Sequence, residues 1–369
     1  MTEPFAITRL TVWRQWQPFA DGPYTCRGHS EDGTDSTILA IETADGSIGL
    51  GEMAPLGAFY SAAFAEAARA ALARFGPSLI GLDATQPRRI RTLLDHALTG
   101  HPYAKSAIDM ACCDLAARRA GQPLCEALGG RFGDDVELYR SVSQAEPAAM
   151  AASALAYIAG GYRRLQVKVG PDPRLDAERI EAVRDAVGPE IALIADANGG
   201  WTSGDARHFL AATAALDYDL EQPCATLDEC LALRASCDRR LLADESIETL
   251  RDLVRARQGG IDGVTIKLSR VGGVTAAALL RDVACEPGLP TTIEDTGGAQ
   301  IDAAATVHLS LSTPTELRRH TVDLHGWVTV ANATGMPDAS GGRLRAPDGP
   351  GLGVQLDRAA LGEPVLVIG

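Results

Sequence analysis

Two lysines stand where a lysine is costly. Lys168 sits in Leu165-Gln-Val-Lys-Val-Gly170 and Lys267 in Val264-Thr-Ile-Lys-Leu-Ser269, both apolar runs of strand character. A lysine buried in such a run needs a charged partner or a chemical task. Desolvation beside a bound cation lowers the pKa of an amine and makes it a general base near neutral pH. Salt bridges to nearby acids are the plainer reading, and the two are compatible.

Three acids follow the same logic. Asp196, Glu221 and Asp244 each close a short apolar run, and they stand 25 and 23 residues apart. Each interval is about one strand-plus-helix unit. At successive strand ends of a parallel barrel they would converge at one mouth. Carboxylates buried together repel and protonate unless a cation joins them. Oxygen-only ligands suit a hard ion, Mg²⁺ or Mn²⁺. The competing reading is that each acid merely caps the helix after it. Asn198 and Glu245 stand beside these acids, and Glu294-Asp295 closes a later apolar run.

The elements that must position these residues are legible as periodicity. Strand-like runs over 137–142, 164–169, 191–195, 216–220, 241–243, 264–268, 290–293 and, more weakly, 321–324 alternate with helical patterns over 176–187, 203–215, 227–236, 249–257 and 274–283. Eight such units predict an α/β fold with a closed parallel barrel. No glycine-rich phosphate loop follows any of the strands, which disfavours an open doubly wound sheet. Earlier in the chain, 7–15, 36–43 and 48–52 read as an antiparallel meander, followed by helices over 62–75, 86–98 and 104–120. That sets an α+β capping domain over residues 1–125, completed by a turn-rich tail over 327–369, against a barrel over 126–326.

Composition narrows the function classes. The chain has 369 residues, 46% hydrophobic and 22% charged, with a net charge of −14. A normal globular core is available, and the basic face that nucleic acid requires is missing. No run is long and apolar enough for a membrane span, and residues 1–7 lack a secretory pattern. The eight cysteines are scattered without zinc spacing, which predicts reduced thiols and a cytoplasmic setting.

At five runs the chain resembles the muconate-lactonizing (mandelate racemase/muconate lactonizing enzyme) branch of the enolase superfamily. They are Leu165–Gly170, Ala195-Asp-Ala-Asn-Gly-Gly-Trp201, Glu221-Gln-Pro223, Ala243-Asp-Glu-Ser246 and Ile266-Lys-Leu-Ser-Arg-Val-Gly-Gly273. The resemblance implies a (β/α)7β TIM-like barrel with an N-terminal α+β capping domain, and a homo-oligomer. It assigns Mg²⁺ to Asp196, Glu221 and Asp244, and acid/base work to Lys168 and Lys267. The shared step is removal of the proton beside a substrate carboxylate. Many members carry Lys-x-Lys on the second strand; here the first lysine is replaced by Gln166.

Finer details resemble the subgroup acting on proline derivatives, the hydroxyproline-betaine 2-epimerases and cis-3-hydroxy-L-proline dehydratases. These are Gly22-Pro-Tyr24, Gly100-His-Pro-Tyr-Ala-Lys-Ser106, Glu221-Gln-Pro-Cys224 and Glu294-Asp-Thr-Gly-Gly298. Substrate contacts are expected from capping loops over 22–35 and 53–60, with Phe59 and Tyr60 foremost, and from Asn198, Asp295 and Thr296. Asp295 or Asp323 would pair with a secondary ammonium, which favours a hydroxyproline dehydratase over a betaine epimerase. A muconate-type cycloisomerase or dipeptide epimerase is the further alternative. His308 and His325 are expected to be structural.

Overall fold

The computed structural model describes residues 3–60 and 63–369. Strand β1 (Ile7–Pro18) leads to a short hairpin, β2 (Tyr24–Cys26) and β3 (His29–Glu31), then to β4 (Gly33–Thr43) and β5 (Ile48–Met53). β1, β4 and β5 form the antiparallel meander. Helices α1 (Ala65–Leu79), α2 (Pro87–Ala97) and α3 (Pro102–Arg119) follow, then a single turn, α4 (Leu124–Ala127). The expected first residue of α1, Ala62, lies outside the described residues. α3 is buried on nearly every side. It lies so close to β5 that a Cβ on Gly51 would sit 2.0 Å from the Ala107 carbonyl oxygen, so only glycine fits there.

The barrel opens with β6 (Asp135–Val142), α5 (Pro147–Ala159), β7 (Arg164–Lys168), α6 (Pro173–Val187), β8 (Ala192–Asp196) and α7 (Ser203–Ala212). It continues through β9 (Asp219–Glu221), α8 (Leu227–Leu233), β10 (Leu241–Ala243), α9 (Leu250–Gln258) and β11 (Gly263–Lys267). The last units are α10 (Leu268–Val271), α11 (Val274–Cys285), β12 (Thr291–Glu294), α12 (Gln300–Leu311) and β13 (Thr321–Val322). The eight strands run parallel in the order β12-β11-β10-β9-β8-β7-β6-β13. Across the seam the Thr321 hydroxyl donates to the Ile293 carbonyl at 2.5 Å. The fold is thus the expected barrel with capping strands.

Three details differ from the sequence reading. The fourth strand was expected over 216–220, but the Leu216 N–H turns back onto Thr213, so β9 starts at Asp219. α5 and α12 were not foreseen. α5 buries only Met150 and Ala154, and α12 is buried all round, so neither carries a clear one-sided stripe. The tail was expected to return to the capping domain alone. Its strand β17 (Leu366–Ile368) does pair with β1, but β15 (Arg343–Arg345) pairs with barrel strand β6. Between and around them lie β14 (Ala333–Thr334), its partner β16 (Gln355–Leu356) and α13 (Arg358–Leu361).

Local signals fix the helix starts on the functional side. Thr202 with Asp205, Thr226 with Glu229 and Thr249 with Asp252 form reciprocal capping boxes at the N-termini of α7, α8 and α9. These caps leave Asp196, Glu221 and Asp244 with no capping duty, which removes the plainer reading of those acids. Among the described residues, no helix is long and apolar enough to cross a membrane, and the cysteines are unpaired.

Candidate active site

β7 and β11 are separated by three strands in either direction around the barrel, so Lys168 and Lys267 face each other across it. Both close their strands. Strand register then sets the neighbours: Lys168 pairs with Asp196, Asp196 with Glu221, and Lys267 with Glu294. Asp244 stands one residue beyond β10. All these side chains are buried.

Each acid has its own partners. The Lys168 ammonium meets Asp196 at 2.5 Å, and the Asn198 side-chain amide donates to the same oxygen at 2.9 Å. Glu221 accepts from the Thr265 hydroxyl at 2.7 Å and from the Gln166 amide at 2.8 Å. The other end of Gln166 accepts from Ser141, so this neutral residue orients Glu221. Asp244 is gripped by Lys267 at 3.0 Å and by Arg270 at 2.6 Å. Lys267 also reaches Glu294 at 3.0 Å, and Tyr139 donates to the far oxygen of Glu294 at 2.7 Å.

The acids therefore share one layer at one mouth of the barrel. Among the described residues no three acid, histidine or cysteine side chains form a tight cage. The reason is local: the lysines and Arg270 draw Asp196 and Asp244 to either side. The donor set still suits a hard divalent cation. Five carboxyl groups (Asp196, Glu221, Asp244, Glu245, Glu294) face three cations (Lys168, Lys267, Arg270) across the same mouth. Beside these acids, Asn198 Oδ1 and Glu245 Oε2 are buried oxygens with no hydrogen-bond partner among the described residues. Oxygen donors with excess negative charge are what such an ion requires.

The electrostatics follow from burial and this charge balance. Burial, with Asp196, Asp244 and Glu294 nearby, pushes the Glu221 carboxyl well above the usual range. Burial, Asp244 and Asp196 push Glu245 up to about 7. Asp244 goes the other way: burial opposes its charge, but Arg270 and Lys267 outweigh it. The lysines were expected to be depressed beside a bound cation. Burial does push each down, yet Asp196 beside Lys168 and Asp244 beside Lys267 leave both raised.

The capping domain roofs the layer. Tyr60 donates to Asp244 at 3.1 Å and accepts from Lys267 at 2.6 Å and Arg270 at 2.9 Å. The Tyr24 ring centre lies 5.9 Å from the Lys168 nitrogen, and the ring packs edge-on against Trp327. A narrow cavity of about 20 Å³ lies beneath, bounded by both lysines, Tyr24, Tyr60, Asp295 and Thr296.

Other expected contacts sit elsewhere. Asn198 braces Asp196 and Glu245 and faces an outer vestibule, away from the lysine cavity. Phe59 stacks on His29 at 4.7 Å. Asp323 cannot meet a substrate ammonium: β13 ends at Val322, and Asp323 turns outward to Tyr162 and Arg140. His308 is structural, accepting from the Cys125 N–H at 3.3 Å. Arg270, Tyr139 and the hydroxyl role of Tyr60 escaped sequence reasoning. The one available signal for Arg270 was a single charge in the otherwise uncharged stretch Leu268–Val271.

The chain matches two family models. Residues 8–129 match the mandelate racemase/muconate lactonizing enzyme N-terminal domain, and residues 149–360 match the enolase C-terminal domain-like family. It is 41% identical over 361 residues to the cis-3-hydroxy-L-proline dehydratase of Roseibium aggregatum, covering 97% of this chain and 98% of that one. It is 28% identical to the N-succinyl-L-Arg/Lys racemase of Bacillus cereus, covering 92% and 93%. A mandelate racemase/muconate lactonizing-type enzyme from Roseovarius nubinhibens ISM, solved in complex with magnesium, superimposes with a TM-score of 0.94 at 39% identity, covering 99% and 100%. With opposed lysines, layered acids and an aromatic roof on this barrel, the chain belongs to the mandelate racemase/muconate lactonizing enzyme family of the enolase superfamily, and it is an enzyme.

Proposed function

We propose that the chain dehydrates cis-3-hydroxy-L-proline, with Lys168 and Lys267 as its acid/base pair. The observation that carries this is the opposition of the two lysines across one small cavity. In the cis isomer the carboxylate and the hydroxyl share a ring face, so the α-hydrogen and the hydroxyl lie on opposite faces. Elimination therefore needs a base on one side and an acid on the other. One amine takes the α-proton, and the opposite ammonium protonates the hydroxyl as the C–O bond breaks and water leaves. The C2–C3 double bond formed is an enamine, which tautomerises to a cyclic imine.

Asp196, Glu221 and Asp244 would hold a divalent ion, Mg²⁺ first, with Gln166, Thr265 and Arg270 orienting them. When bound, the ion supplies Lewis-acid stabilisation to the substrate carboxylate, without which so weak a carbon acid keeps its proton. Asp295 and Thr296 border the cavity and suit the secondary ammonium of the ring, which donates hydrogen bonds where a quaternary nitrogen has none to give. Tyr24, Tyr60 and Trp327 exclude water. The similarity to the Roseibium dehydratase supports the substrate.

The same two lysines would also serve a 2-epimerase of a proline derivative such as a proline betaine, by returning the proton from the other face. The aromatic roof favours that second reading, because rings attract a quaternary ammonium. Proton NMR in D₂O with a panel of proline derivatives separates the two. Loss of the hydroxyl-bearing C3 proton environment marks the dehydratase; α-exchange with the ring intact marks the epimerase. Inertness toward cis-3-hydroxy-L-proline would sink the first reading.

A further inference from the structure

Behind the cavity lies a second group of acids that the mechanism does not use. Asp302, in the first turn of α12, is wholly buried. Neither of its carboxyl oxygens has a hydrogen-bonded donor among the described residues. Its backbone N–H donates to Glu52 of β5 at 3.0 Å, and Glu52 also accepts from Ala299, Gln17 and Ser36. A capping-domain carboxylate is thus fixed at the N-terminus of a barrel helix, where the helix dipole favours it. Asp302 faces Asp295 within hydrogen-bonding reach, with Thr306 one turn on. Gly298, at φ +134°, lets the intervening loop touch Asp302: a Cβ there would sit 2.6 Å from that of Asp302.

Asp295 is held differently. Its oxygens accept from the backbone N–H of Ser269 at 2.8 Å and of Thr296 at 2.8 Å. Those donors favour an anion at Asp295. Around Asp302 stand the Asp295 carboxyl, Glu52 and the Thr306 hydroxyl, and burial beside two acids disfavours a further charge there. Burial pushes both carboxyls up, Asp302 the further, since Asp295 and Glu52 oppose its charge while Ser269 and Thr296 offset burial at Asp295.

We infer that Asp302 is a neutral carboxylic acid that donates its proton to Asp295 and thereby holds Asp295 as a fixed anion at the cavity wall. Asp302 is then a positioning residue for substrate charge. This rests on the reading above that Asp295 meets the ring ammonium. It also ties the capping domain to specificity, because Glu52 sets the helix that carries Asp302.

The test has two arms. Infrared difference spectra of the Mg²⁺-loaded protein, wild type minus Asp302→Asn, should show a carboxylic-acid C=O stretch at about pH 8, where an ordinary aspartate is ionised. Asp302→Asn keeps a neutral donor, so its KM for cis-3-hydroxy-L-proline should stay within about threefold of wild type, whereas Asp302→Ala should raise KM by about tenfold or more. Absence of the acid band overturns the inference, as does a KM in Asp302→Asn raised as far as in Asp302→Ala. If Asp302→Ala fails to fold, the spectra of the other two proteins still decide. If the wild type ignores cis-3-hydroxy-L-proline, the substrate reading falls, and the infrared arm still reports the proton.

Discussion

The Lys267 ammonium donates to the Tyr60 hydroxyl at 2.6 Å, joining a loop of the capping domain to a barrel lysine. The same hydroxyl accepts from Arg270 and donates to Asp244. Tyr60 was expected to contact the substrate; its hydroxyl is the constrained part. Tyr60→Phe keeps the ring and removes the shared acceptor, leaving Lys267 and Arg270 to compete for Asp244. A hydrogen bond to a charged group contributes about 1.5–3 kcal/mol, so kcat should fall about tenfold or more with little change in melting temperature. Steady-state kinetics check this, and an unchanged kcat would leave the ring as the working part.

Replacing either lysine should end turnover. Lys168→Met and Lys267→Met keep the apolar stem and lose the amine. Positioned proton transfer contributes about 10²- to 10⁴-fold, and each variant should lose at least that. Each also leaves a buried carboxylate without its cation, Asp196 in one case and Glu294 in the other, where Asp244 keeps Arg270. Lower stability is therefore expected for both variants. Full activity in either variant removes that lysine from the mechanism.

Much of this site could be read in the chain because its parts follow local rules. A lysine inside an apolar strand and acids one βα unit apart are visible in one dimension. What stayed hidden needs the third. Asp323 follows Val322 in sequence, but a strand of two residues cannot carry side-chain alternation any further, and the acid turned outward. Asn198 has φ +47°, which aims it at Asp196 and the vestibule. Arg270 meets Asp244 only because a one-turn helix follows β11 directly. The link from Glu52 through α12 to Asp295 joins residues more than 240 positions apart, beyond the reach of any local motif.

A divalent ion should stabilise the fold. Cation and lysines compete for Asp196 and Asp244, and the excess of acids over cations favours the ion. Binding to the native state alone adds about 2.7 kcal/mol at a concentration one hundred times Kd. Mg²⁺ should therefore raise the melting temperature, chelation should abolish turnover, and Asp196→Asn should blunt the shift. A wild type whose melting is indifferent to Mg²⁺, or an Asp196→Asn with the full shift, contradicts this site.

Acid should weaken the protein through a residue far from the chemistry. His308 on α12 is wholly buried; one ring nitrogen accepts from the Cys125 N–H, and the other lies 3.2 Å from the Leu352 carbonyl, joining the barrel to the tail. This pairing fits the neutral ring with its proton on Nε2. Burial pushes its pKa down to about 4, against 6.5 for a free histidine. Between those values the unfolded chain binds a proton that the folded chain refuses. Stability from this group is thus complete above about pH 6.5 and is lost as pH falls toward 4, by up to about 3 kcal/mol. His308→Gln can accept and donate along similar lines and does not titrate. It should melt somewhat lower than wild type at about pH 7.5, yet lose less on acidification, so the two curves converge as pH drops. His320, also buried and held low, will keep some slope in both proteins. Melting curves that stay parallel from neutral pH to pH 4 would show that His308 carries its proton in the fold as readily as outside it.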